Sequence, residues 1–103
     1  MSAMLIATVR VNDPETYRKY TARTGDIVAR HGGRFVVRGG DVTTLEGEAF
    51  RDRLVVLEFP DMASLEAMYH SKDYQEVMQY RIAAAESRFL AVETLTDDVP
   101  PLP

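Results

Sequence analysis

Apolar residues alternate along "MLIATVRV", where Leu5, Ala7, Val9 and Val11 fall on one side of an extended chain while Met4, Ile6, Thr8 and Arg10 drift from apolar to polar on the other. That period of two predicts a strand over 4–11. The period then changes: Tyr17, Tyr20, Thr24, Ile27, Val28 and His31 recur at steps of three and four, which places them on one face of a helix. Asp13 is positioned to cap that helix, and Pro14 occupies the first turn, where a missing N–H costs nothing. Gly32 and Gly33 end it. The strand "RFVVR" follows between two glycine pairs. Gly39-Gly40-Asp41 then turns the chain through "VTTLEG" into a third strand, "RLVVLEF" (53–59), a hairpin with an irregular or bulged return arm. Pro60-Asp61 opens a second helical region with Met62, Leu65, Met68 and Tyr69 in one stripe, and Ser71 recaps a further piece carrying Tyr74, Val77, Met78, Ile82 and Ala85. "RFLAVETL" (88–95) is the last strand.

The order is β-α-β-β-α-β, an α+β, ferredoxin-like arrangement in which both helices lie on one face of an antiparallel sheet. Alternation then divides the strands. Leu5, Ala7, Val9, Phe35, Val37, Val55, Leu57, Phe59, Leu90 and Val92 are expected to meet the helices. The opposite face receives Ile6, Thr8, Arg34, Val36, Arg38, Leu54, Val56, Glu58, Phe89, Ala91 and Glu93. That second face is too apolar for water and too charged for a dry core. An apolar patch of several hundred Å² marks an interface, so a homodimer is expected, with two sheets closing around a partly polar hollow.

At 103 residues the chain makes one domain, expected over 1–95, with a Pro-rich C-terminal tail, "TDDVPPLP", over 96–103. Hydrophobic residues are 46% and charged residues 27% of the chain, an ordinary globular composition. No apolar run reaches the roughly 20 residues of a spanning helix, so no membrane partner is expected. The opening segment lacks the basic n-region of a secretory signal, which predicts a cytoplasmic location. Cysteine is absent, excluding disulfides, thiolate metal sites and a cysteine nucleophile. With a net charge of −4 and scattered basic residues, nucleic acid is not an expected partner.

Candidate chemistry centres on Arg38 and Glu58, which alternation places on adjacent strands facing the same way. They are expected to pair across the sheet inside the hollow, either to fix its register or to bind an anionic or carbonyl ligand. Arg38 is expected to be the more buried, and Arg34 to lie at the rim. His31, in the last turn of the first helix, fits both a capping role and acid-base catalysis. His70, in "MYHSKDY", is a junction residue that could also serve a site. Tyr17 and Tyr69 lie on core-facing stripes from which a hydroxyl could reach the cavity and bind a ligand. The two histidines are 39 positions apart and form no metal-ligand spacing. Neither a metal nor a cofactor is expected.

At "GGRFVVRGG", the later "EG", "RLVVLEFP" and "YHSKDYQ", the chain resembles the domain of unknown function 1330 family, within the dimeric α/β-barrel superfamily; the resemblance runs from about Met4 to Leu95. It implies a ferredoxin-like fold and a dimer. Relatives in that superfamily include muconolactone isomerases, cofactor-free monooxygenases, haem-degrading enzymes and chlorite dismutases, so the reaction stays open. Two readings remain. One is a small cofactor-independent enzyme acting by acid-base chemistry on an anionic or aromatic metabolite, with Arg38 as anion stabiliser and Glu58 or a histidine as proton carrier. The other is a non-catalytic dimer that binds a small molecule or serves as an assembly module.

Overall fold

The computed structural model describes residues 2–95, so the expected tail over 96–103 lies outside the described residues. The elements run β1 (Ala3–Val11), α1 (Pro14–Arg30), β2 (Arg34–Arg38), β3 (Arg53–Phe59), α2 (Met62–His70), α3 (Lys72–Ala84) and β4 (Ala85–Glu93). The strands form one antiparallel sheet in the order β2-β3-β1-β4. β1 and β2 therefore run parallel with β3 inserted between them, the split crossover expected of the ferredoxin-like fold.

Local chemistry sets the boundaries. The Asp13 carboxylate accepts the Thr16 amide at 3.2 Å to start α1, and the Asp61 carboxylate accepts the Ser64 amide at 2.7 Å to start α2. Both carboxyls are held below their usual range, chiefly by the hydrogen bonds that they accept from Thr16 and Ser64. Ser71 serves two helices at once: its hydroxyl donates to the Met68 carbonyl at 2.7 Å and accepts the Tyr74 amide at 3.2 Å. One residue thus ends α2 and begins α3. The next junction is tighter still, because β4 starts at Ala85 directly after α3 ends at Ala84. The amides of Asn12 and Asp13 both donate to the Ala84 carbonyl, at 2.8 and 3.0 Å, and fasten this junction to the start of α1.

The core lies between the helices and one sheet face. Leu5, Ala7 and Val9 of β1 and Val55, Leu57 and Phe59 of β3 meet Tyr17, Tyr20, Ile27 and Val28 of α1, Leu65 and Met68 of α2, and Tyr74 and Val77 of α3. The face predicted for α1 is the face that is buried.

Three side-chain placements differ from the sequence expectation. In β4, Phe89 pairs with Ala7 and Ala91 with Leu5, so these two face the helices, while Leu90 and Val92 point to the open side. Both parities of "FLAV" are apolar, and the pairing with β1 decides between them. In β2, Phe35 opposes Leu57 but Val37 opposes Val56; Val36 is the extra residue of a bulge, and Arg38 falls opposite Val55 on the helix side. The expected common face of Arg34 and Arg38 is thereby split. In α3 the buried stripe is Tyr74, Val77, Arg81 and Ala84, and Ile82 is exposed. Spacing, rather than hydrophobicity, sets which residue of that turn is covered.

Candidate active site

The redirected Arg38 faces a cavity between α1, α3 and the sheet. Apolar walls come from Leu5, Ala7, Val9, Val55 and Leu57, and its volume is about 40 Å³. On the helix side Tyr17, Tyr20, Thr21 and Thr24 project from successive turns of α1, and Tyr74 from the first turn of α3. At the β2–β3 end stand two arginines. Arg38 donates to the Thr21 carbonyl at 3.3 Å and lies over the Phe35 ring at 4.1 Å. Arg53, the first residue of β3, packs its guanidinium against Gly39, whose φ of 73° and missing side chain make room for it.

The polar side chains of this cavity are hydroxyls, which donate and accept, and two arginines, which only donate; no acceptor-only group lines it. The Tyr20 and Tyr74 hydroxyls share one hydrogen bond of 2.7 Å, and Tyr17 stacks beside Tyr20 at 5.5 Å between ring centroids. Behind them Arg81 is only 6% exposed; it lies over the Phe89 ring at 4.0 Å and donates to the Ser87 hydroxyl. The Nε atoms of Arg53 and Arg81 are buried without a hydrogen-bond partner among the described residues. Burial pushes all three phenols up. For Tyr17 the nearby Arg53 offsets part of the rise; for Tyr20 the adjacent Tyr74 adds to it; for Tyr74 the bond from Tyr20 and the charge of Arg81 oppose it.

The remaining candidates lie elsewhere. Glu58 is on the opposite sheet face and accepts from Arg34, at 2.7 Å from Nη2 and 3.2 Å from Nε, and from the Ser2 hydroxyl at 3.3 Å. The expected Arg38–Glu58 pair is replaced by Arg34–Glu58, because the bulge at Val36 turns Arg38 to the other side. His31 is the C-cap of α1, with Nδ1 3.0 Å from the Ile27 carbonyl oxygen. His70 ends α2, edge-on to the Tyr69 ring at 5.2 Å, beside a separate groove of about 270 Å³ that Leu65, Glu66, Phe89 and Ala91 complete. Tyr17 and Arg38 thus share a cavity, Tyr69 and His70 share a groove, and Glu58 and His31 belong to neither. Among the described residues, no group of three or more His, Asp or Glu could hold a metal ion, and no helix is long and apolar enough to cross a membrane.

The family model described as Domain of unknown function (DUF1330) matches residues 2–95. The chain belongs to that family. Among solved structures, this DUF1330 chain is similar to RPA0582, a protein of unknown function from Rhodopseudomonas palustris, at 25% identity and a TM-score of 0.76, covering 92% of this chain and 83% of that one. It shares the fold of SnoaB, a cofactor-independent oxygenase from Streptomyces nogalater, with 18% identity, a TM-score of 0.62 and coverage of 94% and 96%. A dimeric ferredoxin-like protein of unknown function from Jannaschia sp. CCS1 has the same fold at 13% identity and a TM-score of 0.63, over 91% of this chain and all of that one. No curated protein matches.

Sequence reasoning passed over Tyr20, Tyr74, Arg53 and Arg81 as site residues of this DUF1330 chain. A usable signal was there for Arg81. The three- and four-residue steps from Tyr74 through Val77 lead to position 81 as readily as to 82. No such signal marks Arg53, whose role depends on Gly39 lying beside it in the folded hairpin.

Proposed function

We propose that this chain is a homodimeric, cofactor-independent enzyme that binds a small anionic or aromatic metabolite in the cavity between α1, α3 and the sheet. The observation that carries the reading is the make-up of that cavity: apolar walls, three tyrosines and two arginines, with no carboxylate among its lining residues. Arg38, exposed at the rim, and Arg53, half-buried with its Nε covered, provide positive potential for a carboxylate, phenolate or enolate, and the covered part of that charge is screened less than it would be in water. The Tyr20–Tyr74 pair provides a hydroxyl proton for the oxygen where charge develops. Phenols held protonated by burial suit hydrogen-bond donation to that oxygen rather than full proton transfer, and the arginines stabilise the anion that a bound acid leaves when its proton passes to solvent.

The dimer half of the proposal rests on the open sheet face, where Leu90 and Val92 are 49% and 47% exposed and continue the half-buried row Met4, Ile6, Leu54 and Val56. The Jannaschia protein of the same fold is dimeric, which supports a second copy. A second reading, a binding module without turnover, is favoured by one observation: neither histidine lines the cavity.

Native mass spectrometry of the protein incubated with a metabolite extract tests both. A bound small molecule should appear on the parent and be lost from Thr21→Trp, which fills the rim. Recovery of a chemically changed molecule supports the enzyme, and recovery of the unchanged molecule supports the module. Absence of any adduct on the parent would remove the cavity reading altogether.

A further inference from the structure

A count of hydrogen-bond donors against acceptors narrows the occupant. The Tyr20 and Tyr74 hydroxyls carry two protons between them, and their mutual bond uses one. No further acceptor for the second proton is present among the described residues. At the other end Arg38 and Arg53 enter no ion pair among the described residues, and the Arg53 Nε is buried without an acceptor. Arg81, behind the tyrosines, has a second orphaned Nε, but it does not line the cavity and stays outside this count. Between the two donor ends lie Val9, Val55 and Leu57, which offer nothing to a polar group. Native interiors rarely leave buried donors unmatched, so the missing acceptors belong to something the cavity holds.

Resting on the reading given under Proposed function, we propose that this site takes a small oxo acid: a carboxylate held by Arg38 and Arg53, a short apolar segment against Val9 and Val55, and a carbonyl oxygen accepting from the Tyr20–Tyr74 pair. An oxo acid is acceptor-only at both ends, which is what this surplus requires. An amine would add donors and a positive charge beside the arginines. A hydrocarbon would leave every donor unmatched. Size agrees, because about 40 Å³ is space for roughly three water-sized groups, so the body beyond the carboxylate is a short chain.

Isothermal titration with four probes, 4-oxopentanoate, pentanoate, pentanamide and phenol, tests the assignment, with tyrosine and arginine side-chain NMR shifts reporting where each binds. The expected order is 4-oxopentanoate tightest, pentanoate about tenfold weaker for want of the carbonyl acceptor, and pentanamide undetectable. Tyr20→Phe or Tyr74→Phe should bring 4-oxopentanoate down to the pentanoate level without altering pentanoate. Arg38→Met, at an exposed position that leaves folding intact, should weaken both acids alike. Equal binding of 4-oxopentanoate and pentanoate, or indifference to both tyrosine variants, overturns the oxo-acid assignment. Phenol shifting the cavity tyrosines while neither acid binds overturns it too, yet leaves the cavity as a site. If no probe shifts the cavity residues, both readings fall.

Discussion

A guanidinium at 6% exposure whose side-chain partner is the Ser87 hydroxyl, with no carboxylate partner among the described residues, is an uncommon residue to find facing a core. The flat faces of Phe89 and Tyr20 lie 4.0 and 5.7 Å from it and offset part of the desolvation. Replacing a buried charge by an apolar side chain of similar length is often neutral or stabilising. Arg81→Met should therefore melt at or above the parent temperature while weakening anion binding, and thermal denaturation followed by ligand titration checks both. A lower melting point without a change in binding would make Arg81 purely structural. The tyrosines give a pH prediction. Tyr17, Tyr20 and Tyr74 are all raised in the folded state against an ordinary value of about 10. Below that value both states keep their protons and the contribution to stability is complete. Above it the unfolded chain ionises first, so stability falls as pH climbs toward the folded values. Urea midpoints should hold to about pH 9 and drop beyond about 10, with a shallower drop in Tyr20→Phe. At this scale the sequence was partly legible. Spacing put Tyr17 on a core-facing stripe, but Arg38 was expected on the open face beside Glu58, and in α3 Arg81 rather than the apolar Ile82 is covered.

Helices were read more accurately than strands, and the difference is physical. A helix shows its buried face through three- and four-residue spacing within one segment, and in α1 Tyr17 through Val28 followed it without exception. A strand has only two faces, so one added residue or an ambiguous parity exchanges them. Both happened here, at the Val36 bulge and along Phe89 to Val92. Since Val36 is the unmatched residue and is 45% exposed, deleting it should leave every other pair of β2 and β3 in place. The variant lacking Val36 should melt within a few degrees of the parent and keep Arg38 in the cavity. Loss of the Arg38–Thr21 contact by NMR would show that the bulge does more than add a residue.

For the whole molecule, a four-stranded sheet with helices on one face leaves the other face open, and the sequence had already suggested a second copy from the apolar residues there. What it misjudged was the make-up of that face. Exchange of Phe89 and Ala91 for Leu90 and Val92, and of Arg38 for Val37, makes it more aliphatic and less charged than expected. Leu90→Asp places a charge at a position 49% exposed in the single chain, so the fold should survive. In a dimer the same charge is buried without a partner, at a cost of about 3–5 kcal/mol. Sedimentation should find dimers for the parent and folded monomers for the variant. Unchanged sedimentation would place the contact elsewhere.

The missing loop between Ala84 and Ala85 governs where this chain tolerates a change of length. Because the Ala84 carbonyl is held by the amides of Asn12 and Asp13, an inserted glycine at this point cannot be absorbed by slack. It would push β4 one position along β1 and exchange its faces, presenting Leu90 and Val92 to the helices and Phe89 to the open side. The same insertion between Gly40 and Glu48, an exposed stretch outside every helix and strand, only lengthens a loop. Expression and melting of the two insertion variants should differ sharply, with the first failing to fold cooperatively and the second close to the parent. Gaps and extra residues in other chains of this fold should accordingly gather between β2 and β3, leaving the step from helix to last strand at one fixed length.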